Sequence, residues 1–180
     1  MSQIYYHVVT EKPMQLGQEL IFDETHHSGV YNRVYSLKDK VDEIYKNPMV
    51  YKNKELDHHL KVALRELAIE EVRKEKYPEY PSRLSSLYVS SSLEEAEKWY
   101  DLFKKLGRDV YQIVKVMVDG NVYIGDAYNC FDGTIDKDNN LKLAENYWKY
   151  KVNLEGKEPI IEILASGKIK VIEIVKEEVK

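Results

Sequence analysis

The order of the hydrophobic patterns along the chain constrains its fold more than any other feature. Apolar side chains recur every three or four positions in residues 36–47 and 55–77, which is the period of an amphipathic helix. Apolar and β-branched side chains alternate or run together in residues 109–128 and 159–175, which is typical of β-strands, and one more strand is predicted at residues 4–10. Helices therefore cluster in the first half and strands in the second. This order predicts an α+β fold rather than a doubly wound parallel sheet.

Local signals predict where the helices begin and end. Ser36 is the expected N-cap of the first long helix, and Pro48 is expected to end that helix. Ser92 and Glu95 have the S-x-x-E spacing of a capping box, so a third helix is predicted to begin there. Gly107 is the expected C-terminal stop of this helix.

Two glycine-containing pairs predict turns between strands. Asp119 and Gly120 form the D-G pair that favours a tight hairpin, so the strands on either side of this pair are predicted to be hydrogen-bonded to each other. Ser166 and Gly167 join the last two predicted strands. The sequence therefore predicts one hairpin, at Asp119 and Gly120, and a second junction between strands near the end of the chain.

Length and charge limit the classes of protein to consider. A chain of 180 residues is most simply one domain spanning residues 1–180. Its formal net charge of -4 argues against a protein that binds nucleic acid over its whole surface, so any contact with nucleic acid must be local. A single cysteine excludes an internal disulfide framework, and the N-terminus has no basic segment followed by a long apolar one. A cytoplasmic protein without membrane association is expected.

Glu162 and Glu173 stand out because each lies among apolar neighbours in a predicted strand. Alternation places Glu162 on the face of Leu164 and Glu173 on the face of Val171. One interpretation is that either carboxylate lies at a sheet edge and reaches water. The other is that a carboxylate on a concave, partly dry face is held by hydrogen bonds or by a cationic ligand, and is then a functional group. Periodicity alone does not choose between the two glutamates.

Two basic side chains are further candidates. His7 lies on the first predicted strand, where it either makes a structural hydrogen bond or binds a sugar hydroxyl with its neutral ring. Arg83 stands just before the strand predicted at residues 86–90. An arginine there is either an ordinary surface residue or a bidentate ligand of a pyrophosphate.

Several common chemistries find no support in the sequence. Adjacent histidines on a helix point about 100° apart, so the pairs His26/His27 and His58/His59 predict no metal site. Cys130 has no local histidine, and no G-x-S-x-G turn is present. Neither a P-loop nor a G-x-G-x-x-G fingerprint occurs. The sequence therefore predicts no metal, no Ser or Cys nucleophile and no ordinary ATP or dinucleotide fold.

Three blocks of the chain together resemble the signature of the ADP-ribosyltransferase superfamily. The blocks are "YYHVV" on the first strand, "SRLSSLYVSSSLEEAEKWY" in the middle and "EPIIEILASGKIKVIEI" at the end. The middle and last blocks are similar to the nucleic-acid-modifying branch that contains DNA-targeting toxins of toxin-antitoxin systems, and to a related bacterial family of uncharacterised function. The resemblance implies an ADP-ribosyltransferase-like fold, a mostly antiparallel split sheet against which helices from the N-terminal half pack.

The resemblance also implies site residues and a reaction. NAD would be the substrate, with His7 on the adenine-side ribose, Arg83 on phosphate, and Tyr88 and Ser90 lining the nicotinamide-side pocket. Glu162 would be the catalytic carboxylate, which stabilises the positive charge that builds on the ribose as the bond to nicotinamide breaks. No metal is needed for this step. The implied function is transfer of ADP-ribose to a nucleic-acid or protein acceptor by a toxin or defence protein.

The sequence departs from the family pattern at two places. The toxins usually have threonine two positions after the histidine, where this chain has Val9, and Thr10 lies on the other face. Arginine-modifying members have a second carboxylate two positions before the catalytic one, where this chain has Ile160. An arginine acceptor is therefore disfavoured, and a nucleic-acid base or another protein side chain is left open.

Other functions remain open beside the transferase. One is a catalytically inactive module that binds NAD, ADP-ribose or RNA ends on the same scaffold. Another is an interaction protein whose fifteen tyrosines form a partner surface. An antitoxin or inhibitor protein is a further partner that the resemblance allows. Acceptor choice is expected to depend on the loops predicted at residues 25–33 and 131–140.

Overall fold

A computed structural model describes residues 2–153 and 155–179 of the chain. These residues divide into two compact units, each built from separate segments: the first from residues 2–26, 85–124 and 162–179, the second from residues 27–84, 125–153 and 155–161. Antiparallel strand pairs and several helices confirm the predicted α+β class.

The strands, in chain order, are β1 (Gln3–Val9), β2 (Glu19–Phe22), β3 (Leu87–Val89), β4 (Gln112–Asp119), β5 (Val122–Asp126), β6 (Ile161–Ala165) and β7 (Gly167–Glu177). The α-helices are α1 (Val30–Tyr35), α2 (Lys38–Lys46), α3 (Pro48–Tyr51), α4 (His58–Lys76), α5 (Leu93–Lys105) and α6 (Lys137–Trp148). A 3-10 helix, Ala127–Asn129, follows β5.

The first unit contains a four-stranded sheet in the order β1-β4-β7-β2, with antiparallel pairs throughout. Helix α5 packs on this sheet, and its apolar side chains meet those of β1 and β4 in one core cluster, whose buried members are Val8, Ala96, Tyr100, Val110 and Ile113. Ser92 caps α5 as predicted, since its hydroxyl accepts a hydrogen bond from the amide of Glu95 at 3.2 Å. The helix that packs on the sheet within this unit is therefore α5.

A second sheet has the order β3-β6-β5, and this order makes the prediction of a hairpin at Asp119 and Gly120 wrong. β4 and β5 are consecutive in the chain but lie in different sheets, and so do β6 and β7. β4 pairs with β7, ending at Asp119 opposite Lys168, while β5 neighbours β6. The segment from β4 to β5 therefore runs beside the segment from β6 to β7, and both segments pass from one sheet to the other at the same place.

Two glycines explain why the chain bends between sheets at this point instead of turning back. A Cβ on Gly120 would overlap the main-chain carbonyl of Ser166, and Gly167 has a φ of 92°, a left-handed conformation that favours glycine. The amide of Ser166 donates to the carbonyl of Asn121 at 2.9 Å. The two bends therefore contact each other through their backbones, and the sheet divides there.

The second unit is mainly helical. Helix α4 packs against α1, α2 and α6, and the buried members of its core cluster are Val34, Val41, Ile44, Tyr51, Leu60, Ala63, Leu64 and Leu84. Asp57 caps α4 by accepting from the amide of Leu60 at 2.9 Å. The indole of Trp148 on α6 donates to the carbonyl of Ile69 on α4 at 2.9 Å, so the two helices are joined by a buried hydrogen bond as well as by packing.

Some local predictions for this unit are wrong. Ser36 follows the end of α1 and donates to the carbonyl of Arg33 at 2.7 Å, so it is not the N-cap of α2, which begins at Lys38. Pro48 ends α2 but also begins α3, because proline has no amide hydrogen to lose at a first helical position. The loop predicted at residues 131–140 contains the start of α6, which Asp136 caps by accepting from the amide of Asn139 at 3.1 Å.

In the part of the chain that the structure describes, no helix has both the length and the apolar composition needed to cross a bilayer.

Candidate functional site

β1 and β3 meet at one pair of residues in the first unit. Tyr6 and Ser90 exchange both main-chain hydrogen bonds, with N to O distances of 2.9 Å and 2.7 Å. In a continued antiparallel ladder the next acceptor on the second strand, the carbonyl of Tyr88, would take the amide of Val8. Among the described residues this bridge stands by itself, and the carbonyl of Tyr88 instead contacts the ring of His7, with Nδ1 2.7 Å from the oxygen.

The contact with Tyr88 determines which nitrogen of His7 carries the proton. A carbonyl oxygen only accepts hydrogen bonds, so Nδ1 must donate, and in the neutral ring Nε2 is then an acceptor. Burial lowers the pKa of His7 to about 4 against the opposing effect of the Tyr88 carbonyl, and the residue as a whole is half-buried. His7 is therefore a neutral acceptor at neutral pH.

β3 and β6 pair so that the predicted pocket residues lie close to Glu162. Tyr88 lies opposite Leu164 and Val89 opposite Ile163. The next residues along the two strands are Ser90 and Glu162. Opposed residues of an antiparallel pair project to the same face, and alternate residues share it, so Tyr88, Ser90 and Glu162 belong to one face by this register.

The two rival glutamates have different surroundings. Glu162 is buried, with only 7% of its surface exposed. Glu173 lies on β7 opposite Lys115 of β4, and its carboxylate forms an ion pair with the ammonium of that lysine at 2.9 Å while the side chain stays 53% exposed. The interpretation of an exposed carboxylate that reaches water is therefore confirmed for Glu173. Glu162 is the buried carboxylate of the two.

The arrangement offers four kinds of group on three neighbouring strands. His7 supplies a neutral acceptor, Glu162 a buried carboxylate, and Ser90 a hydroxyl on a residue that is also buried. Tyr88 is 38% exposed, so part of its side chain is accessible to a ligand. Tyr88, Ser90 and Glu162 share one face of the second sheet, where a hydroxyl, a carboxylate and an exposed ring can bind a molecule that carries hydroxyls and a flat heterocycle. His7 is on β1 of the four-stranded sheet, and because it follows Tyr6, which lies opposite Ser90, alternation directs it to the other face. The described residues hold no group of three or more acidic, His or Cys side chains placed to bind a metal.

Arg83 belongs to the second unit, where it is buried. Its guanidinium donates to the carboxylate of Glu66, with Nε 3.0 Å from Oε2, and to the hydroxyl of Tyr147 at 3.0 Å. Burial acts to raise the pKa of Glu66, but the charges of Arg83 and Arg65 outweigh it and hold that pKa below its usual value. This ion pair accounts for Arg83 in the fold, and a role toward phosphate stays a prediction.

Sequence reasoning missed Glu66 and the paired bends at Gly120 and Gly167. A weak signal for Glu66 exists, because Glu66 and Glu70 are four residues apart beside the apolar stripe of α4, and both are buried. No local signal marks the bends, because the same residue pairs are also typical of hairpin turns.

Comparison with known proteins places the chain in a family but does not add an activity. No curated protein matches the sequence. A family model described as "Protein of unknown function (DUF2441)" matches residues 5–177. Because this match covers nearly the whole chain, the protein belongs to the DUF2441 family.

Proposed function

We propose that the protein is an NAD-dependent ADP-ribosyltransferase with an ADP-ribosyltransferase-like fold. The observation that carries the proposal is that three strands contact one another in succession. β1 is hydrogen-bonded to β3 through Tyr6 and His7, and β3 pairs with β6 next to Glu162. These strands bear the three blocks whose resemblance to the superfamily suggested the activity. The division of the strands between two sheets is compatible with the split sheet that the resemblance implies.

His7 suits a ribose ligand because of its protonation state. Its Nε2 is an acceptor as long as Nδ1 donates to the carbonyl of Tyr88, and a ribose hydroxyl can donate to it. A pKa of about 4 keeps the ring neutral across the physiological range, so this acceptor is not lost to protonation. The same ring therefore binds β3 with one nitrogen and NAD with the other.

Glu162 is assigned the chemical step. As the bond between ribose C1′ and the nicotinamide nitrogen breaks, its electron pair leaves with nicotinamide and positive charge develops on the ribose. A carboxylate that accepts from the 2′-hydroxyl stabilises that charge, and a partly dry site strengthens the effect. The nucleophilic atom of the acceptor then bonds to C1′, and its proton passes to the Glu162 carboxylate and from there to water.

Tyr88 and Ser90 are assigned to the nicotinamide side. The register of β3 against β6 puts both on the face of Glu162, so a heterocycle placed against the exposed part of Tyr88 would hold its glycosidic bond near the carboxylate. The acceptor is a nucleic-acid base or a protein side chain, and no metal takes part in these steps.

The experiment is incubation of the protein with adenylate-labelled NAD and separate pools of DNA, RNA and protein, with release of nicotinamide followed by chromatography. One pool is expected to gain label in step with nicotinamide release. The variant Glu162→Gln keeps the size of the side chain and removes its charge, so nicotinamide release should fall by about 100-fold or more.

Glu173→Gln is the matched control. It makes the same chemical change in the next strand of the chain, at a carboxylate that forms an exposed ion pair, so the rate should stay near that of the wild type. Equal losses in the two variants would contradict the assignment to Glu162. If NAD binds but no nicotinamide is released, the protein is better described as the inactive binding module. If NAD stays intact and unbound, both the transferase and the binding module are overturned.

A further inference from the structure

The second unit carries a row of aromatic rings. The ring of His27 stacks on that of Tyr31, with centroids 3.6 Å apart and planes within 4° of each other. The ring of Tyr31 in turn contacts that of Tyr35, with centroids 4.4 Å apart. His27 is exposed, and the two tyrosines are half-buried. We call these three residues the aromatic row.

The aromatic row ends at a cleft in the same unit. Tyr35 lines this cleft of about 260 Å³, whose apolar lining comes from Val41, Leu67, Ala68 and Leu141. Tyr45 also lines the cleft and accepts at its hydroxyl from the side-chain amide of Asn140 at 2.8 Å. The row and the cleft are therefore one continuous feature, a line of rings that leads from an exposed histidine to an apolar depression.

Three lysines line the cleft, namely Lys38, Lys74 and Lys137. Lys38 pairs with Asp42 at 3.1 Å and Lys137 with Glu71 at 3.7 Å, but all four side chains are about half exposed. Exposed ion pairs of this kind contribute little, so a phosphate can replace the carboxylates at small cost. A third carboxylate in the lining, Glu70, is bonded to Arg73 and Ser82 instead.

The chain around the aromatic row is basic although the whole protein is acidic. Residues 30–54 contain six basic and three acidic side chains, a local net charge of +3 in a chain of net charge -4. All six basic residues are exposed. Positive charge is thus concentrated in the segment that carries Tyr31, Tyr35 and one wall of the cleft.

We propose that the aromatic row and the lysine-lined cleft bind single-stranded nucleic acid. A ring on which a base can stack, here the exposed His27 held parallel to Tyr31, and cations that can contact phosphates are the two components of single-strand recognition. The ring of Tyr35 is tilted by 34° from that of Tyr31 and continues the row without stacking. A duplex keeps its bases stacked on each other, so it cannot place one against His27.

This binding surface does not depend on the proposed transferase activity. If both proposals hold, single-stranded nucleic acid is the class of acceptor. The two are tested separately, because binding is measured without NAD. A protein that binds the oligonucleotide but releases no nicotinamide would support this surface and contradict the transferase proposal.

The experiment is fluorescence anisotropy of the full chain with a short labelled single-stranded RNA and the corresponding DNA, over a series of salt concentrations. If the three lysines contact phosphates, the logarithm of the binding constant should fall with the logarithm of the salt concentration with a slope of about -2. Replacing Lys38, Lys74 and Lys137 together by Gln should remove most of this slope. Lys142→Gln, an exposed lysine of α6 outside the cleft lining, is the control and should leave affinity and slope unchanged.

Stacking is tested by His27→Ala and by Tyr31→Leu, which keeps an apolar side chain in the partly buried position of Tyr31. Each should weaken binding by about fivefold or more, and thermal unfolding should show that both variants are folded. The proposal is overturned if the wild type does not bind, if a duplex binds as tightly, or if a free mononucleotide competes as well as the oligonucleotide. It is also overturned if Lys142→Gln weakens binding as much as the triple variant.

Discussion

The ring of His7 is held by the main-chain carbonyl of Tyr88, 81 residues further along the chain, with Nδ1 2.7 Å from the oxygen. This contact takes the position where the ladder between β1 and β3 would otherwise continue. It joins the two strands and at the same time leaves Nε2 as an acceptor. One hydrogen bond therefore links the local fold to the proposed binding of NAD.

Substitutions of His7 separate these two roles. In His7→Asn the side-chain amide can still donate from the position of Nδ1, but the acceptor at Nε2 is gone. We expect a folded protein whose KM for NAD rises about tenfold, the effect of one lost hydrogen bond to a ligand. His7→Gln, which places an amide near the position of Nε2, should recover part of this loss. Steady-state release of nicotinamide measures both, and equal KM values for wild type and His7→Asn would contradict the assignment.

His7 also predicts how stability depends on pH. Its pKa is lowered from 6.5 to about 4 in the folded protein, so between these values the unfolded chain binds a proton that the folded chain does not. Above about pH 6.5 this titration therefore does not lower the free energy of unfolding. As the pH drops toward 4 the free energy of unfolding falls, by on the order of 2 kcal/mol for a half-buried residue. Denaturant unfolding of wild type and His7→Asn across this range measures the difference. Parallel pH profiles would exclude the effect.

Gly120→Ala is expected to destabilise the fold by at least about 3 kcal/mol, because its methyl group would overlap the carbonyl of Ser166. Gly17→Ala is the matched control, since Gly17 has a φ of 82° but nothing within 4 Å of an added Cβ. It should cost only about 1 kcal/mol, the strain of a left-handed conformation. Urea unfolding of both variants gives the comparison, and equal losses would show that the close backbone contact does not matter.

The buried pair of Arg83 and Glu66 predicts strong coupling. Arg83→Met leaves the carboxylate of Glu66 in the core with only Arg65 to compensate its charge, so we expect a loss of about 3–5 kcal/mol. The double variant Arg83→Met, Glu66→Met should be more stable than Arg83→Met by itself, because the buried carboxylate is gone and the charge of Arg65 that loses its partner is partly exposed. Lys142→Met, on the surface, should change stability by less than about 0.5 kcal/mol. Additive effects in the double-variant cycle would mean that the pair is not coupled.

The sequence by itself determined the secondary-structure class and most element positions. The 3.6-residue and two-residue periods predicted the main helices and the strands, and the capping box at Ser92 located the start of α5 to the residue. These features depend on side chains a few positions apart, so they can be interpreted without a fold. Asp57 and Asp136 cap helices by the same short-range chemistry, although the sequence interpretation did not use them.

The tertiary structure alone decided which strands pair and which glutamate is buried. Glu162 and Glu173 have the same alternating pattern of neighbours, yet one is covered and the other faces water beside Lys115. The pairs at Gly120 and Gly167 have turn-like sequences, yet they mark where two strands pass between sheets. In each case the outcome depends on backbone approach and hydrogen bonding between segments tens of residues apart, and no local pattern encodes those contacts.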